Sequence, residues 1–286
     1  MKDIKTIGIT GSSGFVGTRL SKRLAAEEVE IVEIDLQKGI DVTDWDTVKN
    51  IREIDVLVHL AAYISVPDSV KDPRPFLSKN ISGTLNMLEI CRLCNATMIF
   101  ASSSLVYGPP QYIPVDEIHP LEGTNPYAIS KLLGEELCKG YHRTFGLKTV
   151  IVRAFNIYGP SQSSGSLISS ITKQAKQGRI VLRDPSPKRD YVYVDDVVEA
   201  YAKLCFYDAD DFDVFNIGTG ESYSVQEIAD TVVETLDRPA EVIFTHQKRM
   251  NEIDDIRADI SYATTRLGWN PKISLKAGID RVLDAQ

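Results

Sequence analysis

Tyr127 and Lys131 stand four residues apart in NPYAISK, inside a stretch, residues 126–145, whose apolar spacing predicts a helix. On a helix that spacing stacks both side chains on one face. A phenol ordinarily keeps its proton to about pH 10, but a neighbouring ammonium favours the phenolate. Tyr127 is therefore a candidate base for a hydroxyl proton, with Lys131 as its electrostatic partner. Taken alone, the pair fits equally a half-buried tyrosine beside a solvated lysine. Upstream, FASSSLVYG puts Ser102 and Ser103 at the end of an apolar strand pattern, residues 96–103. There the Ser103 hydroxyl can bond a reacting oxygen and share its proton with Tyr127, although serine triplets also serve as caps and turns.

The context comes from the first thirty-five residues. An apolar run, residues 7–10, leads into Gly11, Gly14 and Gly17, and an amphipathic pattern follows with Phe15, Val16, Leu20 and Leu24 on one face. Glycine lets a backbone turn sharply and approach a pyrophosphate, while the free N–H groups and positive end of the new helix face the anion. Asp35 closes the next strand, EIVEID, where a carboxylate can accept hydrogen bonds from adenosine ribose hydroxyls and repel a 2′-phosphate. The combination predicts a dinucleotide site that takes NAD in preference to NADP. The positive nicotinamide ring of oxidised cofactor would add to the pull of Lys131 on the phenol.

Along the chain, buried-strand runs at 55–60, 96–103 and 148–154 alternate with helical patterns at 75–94 and 126–145. A strand-helix unit, RDYVYVDDVVEAYAKLCF, and a last strand and turn at 213–220 follow. The expected fold is α/β, a doubly wound parallel-sheet Rossmann domain over residues 1–160 and 189–220. Residues 161–188 and 221–286 depart from that rhythm. They are expected to form a smaller, discontinuous C-terminal substrate-binding lobe on the carboxyl side of the sheet.

Composition narrows the partners. The 286 residues are 43% hydrophobic and 25% charged, with a net charge of −8, so nucleic acid and anionic membrane would be repelled overall. MKDIKTIGIT enters the first strand without a signal-peptide core. The apolar stretch 56–66 is interrupted by His59 and too short to span a bilayer; a cytoplasmic protein is expected. Cys91 and Cys94 form a C-x-x-C inside a helical pattern with no second pair. With Cys138 and Cys205 they read as free thiols, not a zinc site. His59 reads as a hydrogen-bonded core histidine; His119, His142 and His246 form no pattern with it, and no metal is expected.

The colinear series TGSSGFVG, Asp35, DVTD, HLAA, NISGTLNMLE, SSSLVYG, PYAISK, RAFNIYGP, RDYVYVDD and ADISYATTRLGWNP resembles the extended short-chain dehydrogenase/reductase family, in particular its nucleotide-sugar 4-epimerases and their relatives. The resemblance spans nearly the whole chain. It implies that Ser103, Tyr127 and Lys131 are the catalytic set. It implies that Asp41 and Val42 contact adenine, that Ala61 and Asn80 line the cofactor groove, and that Phe15, Val16, Leu60, Ala62, Ser102 and Phe155 belong to the same cofactor site. It also implies that Asn156 bonds the substrate, that Arg189 and Arg249 hold its diphosphate, and that the chain forms a homodimer through the helices at 75–94 and 126–145. Two planar guanidinium forks suit phosphate oxygens; alternatively Arg189 is half of a surface pair with Asp190, and Arg249 is a solvated charge.

Relatives that eliminate water resemble T-D-E-V-Y where this chain has Ser103 to Tyr107, and decarboxylating relatives place a glutamate before the V-Y pair. Both use a carboxyl group to move a proton at carbon 5. Here Ser104 and Leu105 stand instead. The resemblance therefore points to C4 epimerisation of a UDP-hexose, with NAD(P)H-dependent reduction of a 4-keto nucleotide sugar as the alternative and non-catalytic NAD sensing as a third reading. The short loop SQSSGSLISS and the glycine-free RDPSPKRD leave the hexose and the base open.

Overall fold

The computed structural model describes residues 4–163, 165–208, 212–236, 239–248 and 252–285. The chain begins β1 (Thr6–Thr10), α1 (Gly17–Leu24), β2 (Glu30–Ile34), α2 (Trp45–Val48), β3 (Val56–His59), α3 (Val66–Lys71), α4 (Pro73–Cys94), β4 (Thr97–Ser103), α5 (Pro126–Phe145) and β5 (Thr149–Ala154). It continues β6 (Asn156–Tyr158), α6 (Leu167–Ala175), β7 (Arg179–Leu182), β8 (Lys188–Arg189), β9 (Tyr191–Tyr193), α7 (Val194–Cys205), β10 (Phe212–Ile217) and β11 (Tyr223–Ser224). Last come α8 (Val225–Thr235), β12 (Glu241–Phe244), β13 (Asp255–Ile256), α9 (Ser261–Leu267) and α10 (Leu275–Asp284).

Six strands form one parallel sheet in the order β10-β5-β4-β3-β1-β2. β3 and β5 are buried along their whole length, as strands covered on both faces must be, and their sequences are correspondingly rich in Val and Ile. One core joins β1, β3 and β5 to α1, α6, α7, α8 and α10; a second packs α4 and α5 against the other face. The sheet changes direction between β1 and β3, and the carboxyl edge at such a switch point is where open α/β sheets take ligands.

The helix expected at 75–94 starts earlier, at Pro73; a proline in the first helical turn loses no intrahelical hydrogen bond. A larger difference concerns the RDYVYVDD unit. Its strand, β9, does not enter the central sheet but pairs with β6 in a separate two-stranded parallel sheet. The position beside β5 is taken by β10. Immediately after β5 the chain divides its bonds, the Phe155 N–H donating to Ile217 O at 2.9 Å and the Asn156 N–H to Asp190 O at 3.0 Å.

Among the described residues no helix is long and apolar enough to cross a membrane, and no cluster of three or more His, Cys, Asp or Glu could hold a metal ion. Cys91, Cys138 and Cys205 are buried free thiols, and Cys94 is half-buried.

Candidate active site

The glycine turn occupies the switch point. Gly11 has φ +68°, a left-handed conformation that strains other residues, and its N–H donates to Ile34 O at 2.8 Å. A Cβ at Gly17 would lie 2.1 Å from Gly11 O, so the first turn of α1 can rest on the loop only without a side chain there. The Gly14 N–H donates to Gly11 O at 3.0 Å, closing the turn. Phe15 and Val16 are half-buried against the core. The start of α1 has no side-chain cap and no acidic residue in its first turn. The buried Ser12 Oγ has no hydrogen-bond partner. A bare helix start and an orphaned hydroxyl in a turn whose closest approaches fall at Gly11, Gly14 and Gly17 fit a dinucleotide's pyrophosphate.

Asp35 stands at the rim of this turn, 9% exposed. One oxygen accepts from the Ser13 N–H at 2.9 Å and the other from the Gln37 N–H at 2.8 Å. Each oxygen keeps a lone pair for a ribose hydroxyl. In the next loop, Asp41 accepts from the Thr43 N–H and hydroxyl at 2.9 and 2.8 Å, which holds its carboxyl below the usual range. Val42 O accepts from Asn86 Nδ2 at 2.9 Å, tying that loop to α4.

Leu60, Ala61 and Ala62 follow β3 opposite the glycine turn, all half-buried. The Ala61 N–H donates to Thr10 Oγ1 at 3.1 Å, and that hydroxyl contacts His59 Nδ1 at 2.8 Å. Burial pushes His59 down to about 3, so it is a neutral core histidine. Asn80, expected at the cofactor groove, acts as a strap. Its amide accepts from the Tyr63 N–H at 2.8 Å and donates to Tyr63 O at 3.0 Å and to Ser130 Oγ at 2.9 Å.

Ser103, Tyr127 and Lys131 converge where β4 meets α5. The Tyr127 side chain is 8% exposed, Lys131 is 4% exposed, and Ser103 is half-buried with its hydroxyl against the phenol. Lys131 Nζ donates to Ala101 O at 2.7 Å and lies 5.9 Å from the Tyr127 ring centre. The solvated lysine of the plainer reading is therefore excluded. The expected downward pull on the phenol needs correction, however. Burial pushes Tyr127 up to about 12, with Ser103 opposing it, and lowers Lys131 to about 8, with Glu135 opposing it. Desolvation of two adjacent groups outweighs their attraction, so the protein alone leaves the phenol protonated at neutral pH.

The residues expected on the substrate side divide. Asn156 is exposed on β6, and Phe155 is buried beside Tyr107. Arg189 does not pair with Asp190. One of its terminal nitrogens donates to Lys188 O at 2.7 Å and Ile253 O at 2.6 Å, and the other to the Glu252 carboxylate. Asp190 is instead wholly buried and binds the Thr219 N–H and hydroxyl, the Gly220 N–H and the Ala258 N–H at 2.7 to 3.1 Å. It joins the loop after β10 to the C-terminal segment. Arg249 lies outside the described residues.

Two residues beside the site escaped sequence reasoning. Glu135 and Arg153 form a fully buried ion pair, Nη2 to Oε2 2.7 Å, between α5 and β5. The signals were present: Glu135 continues the four-residue spacing of Tyr127 and Lys131, and Arg153 is a charge inside an otherwise apolar strand.

The sequence model of a family described as NAD dependent epimerase/dehydratase matches residues 7–218. The chain is 34% identical over 299 residues to a putative UDP-glucose 4-epimerase of Methanocaldococcus jannaschii, with 96% of each chain covered. It is 30% identical over 290 residues to the GDP-6-deoxy-D-mannose reductase of Pseudomonas aeruginosa, covering 96% of this chain and 95% of that one. Among solved structures, the UDP-glucose 4-epimerase of Thermotoga maritima with UDP-glucose matches at a TM-score of 0.91 and 27% identity, over 98% of both chains.

Proposed function

The chain belongs to the NAD-dependent epimerase/dehydratase family, and on that premise we propose that it inverts carbon 4 of a nucleoside-diphosphate hexose, a UDP-hexose in the first instance, through a transient 4-keto sugar. Tyr127 takes the proton of the sugar 4-hydroxyl and later returns it. Ser103 bonds the same oxygen and orients it. Lys131 supplies the positive charge beside the phenol. When bound, the dinucleotide supplies a hydride acceptor and donor at its nicotinamide and adds a positive ring in the oxidised form. The glycine turn holds the pyrophosphate, and Asp35 the adenosine ribose. Residues 161–188 and 221–286 form, in this reading, the lobe that covers the sugar nucleotide, with Asn156, Arg189 and Arg249 on the substrate. For Arg189 that role requires sharing or replacing its bonds to Glu252 and Ile253 O.

The observation that carries the reading is the convergence of Ser103, Tyr127 and Lys131 on the same carboxyl edge of the sheet as the glycine turn, with Ser104 and Leu105 in the positions where proton transfer at carbon 5 would call for a carboxyl group. Similarity to the GDP-6-deoxy-D-mannose reductase favours a second reading, reduction of a preformed 4-keto nucleotide sugar. Purified protein mixed with UDP-hexoses and no added cofactor, followed through the anomeric protons by NMR, separates the two. An interconverting 4-epimer pair supports inversion. Turnover only of a 4-keto sugar with stoichiometric NADH supports reduction, and silence in both leaves a non-catalytic NAD-binding protein.

Asp35→Ala is expected to weaken NAD binding and to raise relative affinity for NADP, because the ribose acceptor and the charge that repels a 2′-phosphate leave together. Titration of both dinucleotides checks this, and an unchanged ratio would contradict the ribose assignment.

The reading extends to a second copy of the chain as partner. Leu85 and Leu93 on α4, and Ile129 and Leu133 on α5, are 39 to 46% exposed on packed neighbouring helices. Light scattering is expected to give twice the 31.8 kDa chain mass. Ile129→Glu with Leu133→Glu is expected to give monomer, since association would bury those charges unpaired; a monomeric wild type removes the dimer.

A further inference from the structure

α5 places a third buried polar side chain on the face that carries Tyr127 and Lys131. Tyr127, Lys131 and Glu135 follow one another at four-residue steps, and three successive residues of β4 meet them. Ala101 O accepts from Lys131 Nζ at 2.7 Å. The Ser102 hydroxyl donates to Glu135 Oε1 at 2.5 Å. The Ser103 hydroxyl lies against the phenol. Glu135 is 0% exposed and is gripped from β5 by Arg153, Nε to Oε1 at 3.0 Å and Nη2 to Oε2 at 2.7 Å. Arg153 Nη1 donates onward to the Tyr107 hydroxyl at 3.1 Å and Glu117 O at 2.9 Å.

A buried ion pair adds little net stability over neutral side chains of similar volume, so its place one helical turn from Lys131 calls for another account. Resting on the reading of Lys131 as the cation beside the phenol, we infer that Glu135, clamped by Arg153, is a positioning residue that keeps Lys131 protonated and seated on the Ala101 carbonyl.

The surroundings of Lys131 support this. On its own helix it faces Tyr127, Glu135 and Cys138. Burial raises both the phenol and the thiol, leaving them uncharged at neutral pH. From β4 it meets the Phe100 ring at 5.1 Å and Ala101 O. From β3 it meets His59, held neutral by burial. From β5, Arg153 is paired with Glu135, one helical turn from Lys131. Burial lowers Lys131 to about 8, and Glu135 is the leading group that opposes the fall.

The test reads Lys131 directly. In protein carrying 15N-lysine, the Nζ signal, assigned with Lys131→Arg, is titrated without substrate. Glu135→Gln is expected to move its midpoint down by about one pH unit or more, the usual effect of losing an adjacent opposite charge. Glu135→Asp, which keeps the charge, is expected to recover most of the shift. Should Glu135→Gln fail to fold, the double variant Glu135→Gln with Arg153→Met is titrated instead, and since it also removes a guanidinium that repels Lys131, a smaller downward shift is expected there. An unmoved midpoint in either folded neutral variant overturns the inference. Because this readout needs no turnover, its failure is distinct from failure of the epimerase reading. In active protein the alkaline limb of the rate is expected to move down with Lys131, whereas a merely structural role would lower the rate equally at every pH.

Discussion

Replacing Tyr127 with phenylalanine is expected to leave the fold and NAD binding in place while lowering turnover by at least ~10²-fold, the scale of a lost general acid and base. The ring is buried where α5 meets β4, and phenylalanine keeps its volume, so packing changes little. What disappears is one O–H beside Ser103. Burial sets this phenol at about 12, so below that value the protein alone holds it protonated, and catalysis depends on positive charge arriving next to it. Lys131 contributes one such charge, and oxidised nicotinamide would contribute the second. The sign of the pH dependence follows. Wild-type turnover is expected to rise with pH as the phenolate becomes accessible, then to fall as pH passes the Lys131 value of about 8. Tyr127→Phe is expected to lose the rising limb, because the group that titrates there is gone. Steady-state rates across pH, with NAD binding measured in parallel, check this. Unchanged turnover would remove Tyr127 from the mechanism, and lost NAD binding would show that the substitution disturbs the groove instead.

The parts of this site that were legible in the sequence are those built from local backbone. Gly11 and Gly17 mark a turn because a left-handed φ and a 2.1 Å approach to Gly11 O exclude side chains. Tyr127 and Lys131 share a face because helical periodicity alone puts them there. Asp35 could be placed because strand β2 ends at Ile34. What could not be read depends on partners distant in the chain. Arg189 precedes Asp190, yet Asp190 turns into the interior between β8 and β9, where it binds Thr219, Gly220 and Ala258; the carboxylate partner of Arg189 is Glu252, 63 residues away. Strand β9, Tyr-Val-Tyr, looks like any other buried strand, and only the occupation of the site beside β5 by β10 sends it elsewhere. The balance between burial and attraction at Tyr127 is likewise a tertiary quantity. Spacing gives the distance between two charges but not how much water surrounds them.

Arg153→Met is expected to lower stability by about 3–5 kcal/mol at neutral pH, the cost of leaving one partner of a buried ion pair uncompensated. Methionine roughly preserves the length of the side chain, so the loss comes from charge and hydrogen bonds rather than from a cavity. Glu135 would keep only the Ser102 hydroxyl among its present donors, in a place where it is 0% exposed. Tyr107 would lose the Nη1 donor at 3.1 Å, and Glu117 O the one at 2.9 Å. Adding Glu135→Gln is expected to restore most of the stability at neutral pH, because two neutral side chains leave no uncompensated ion. Denaturant unfolding of the wild type, both single variants and the double variant closes this cycle. A cost under about 1 kcal/mol for Arg153→Met would place the pair with exposed ones and contradict its burial. A stable double variant whose Lys131 titrates low would separate the two roles: the fold can do without the charges, but the lysine beside the Tyr127 phenol cannot.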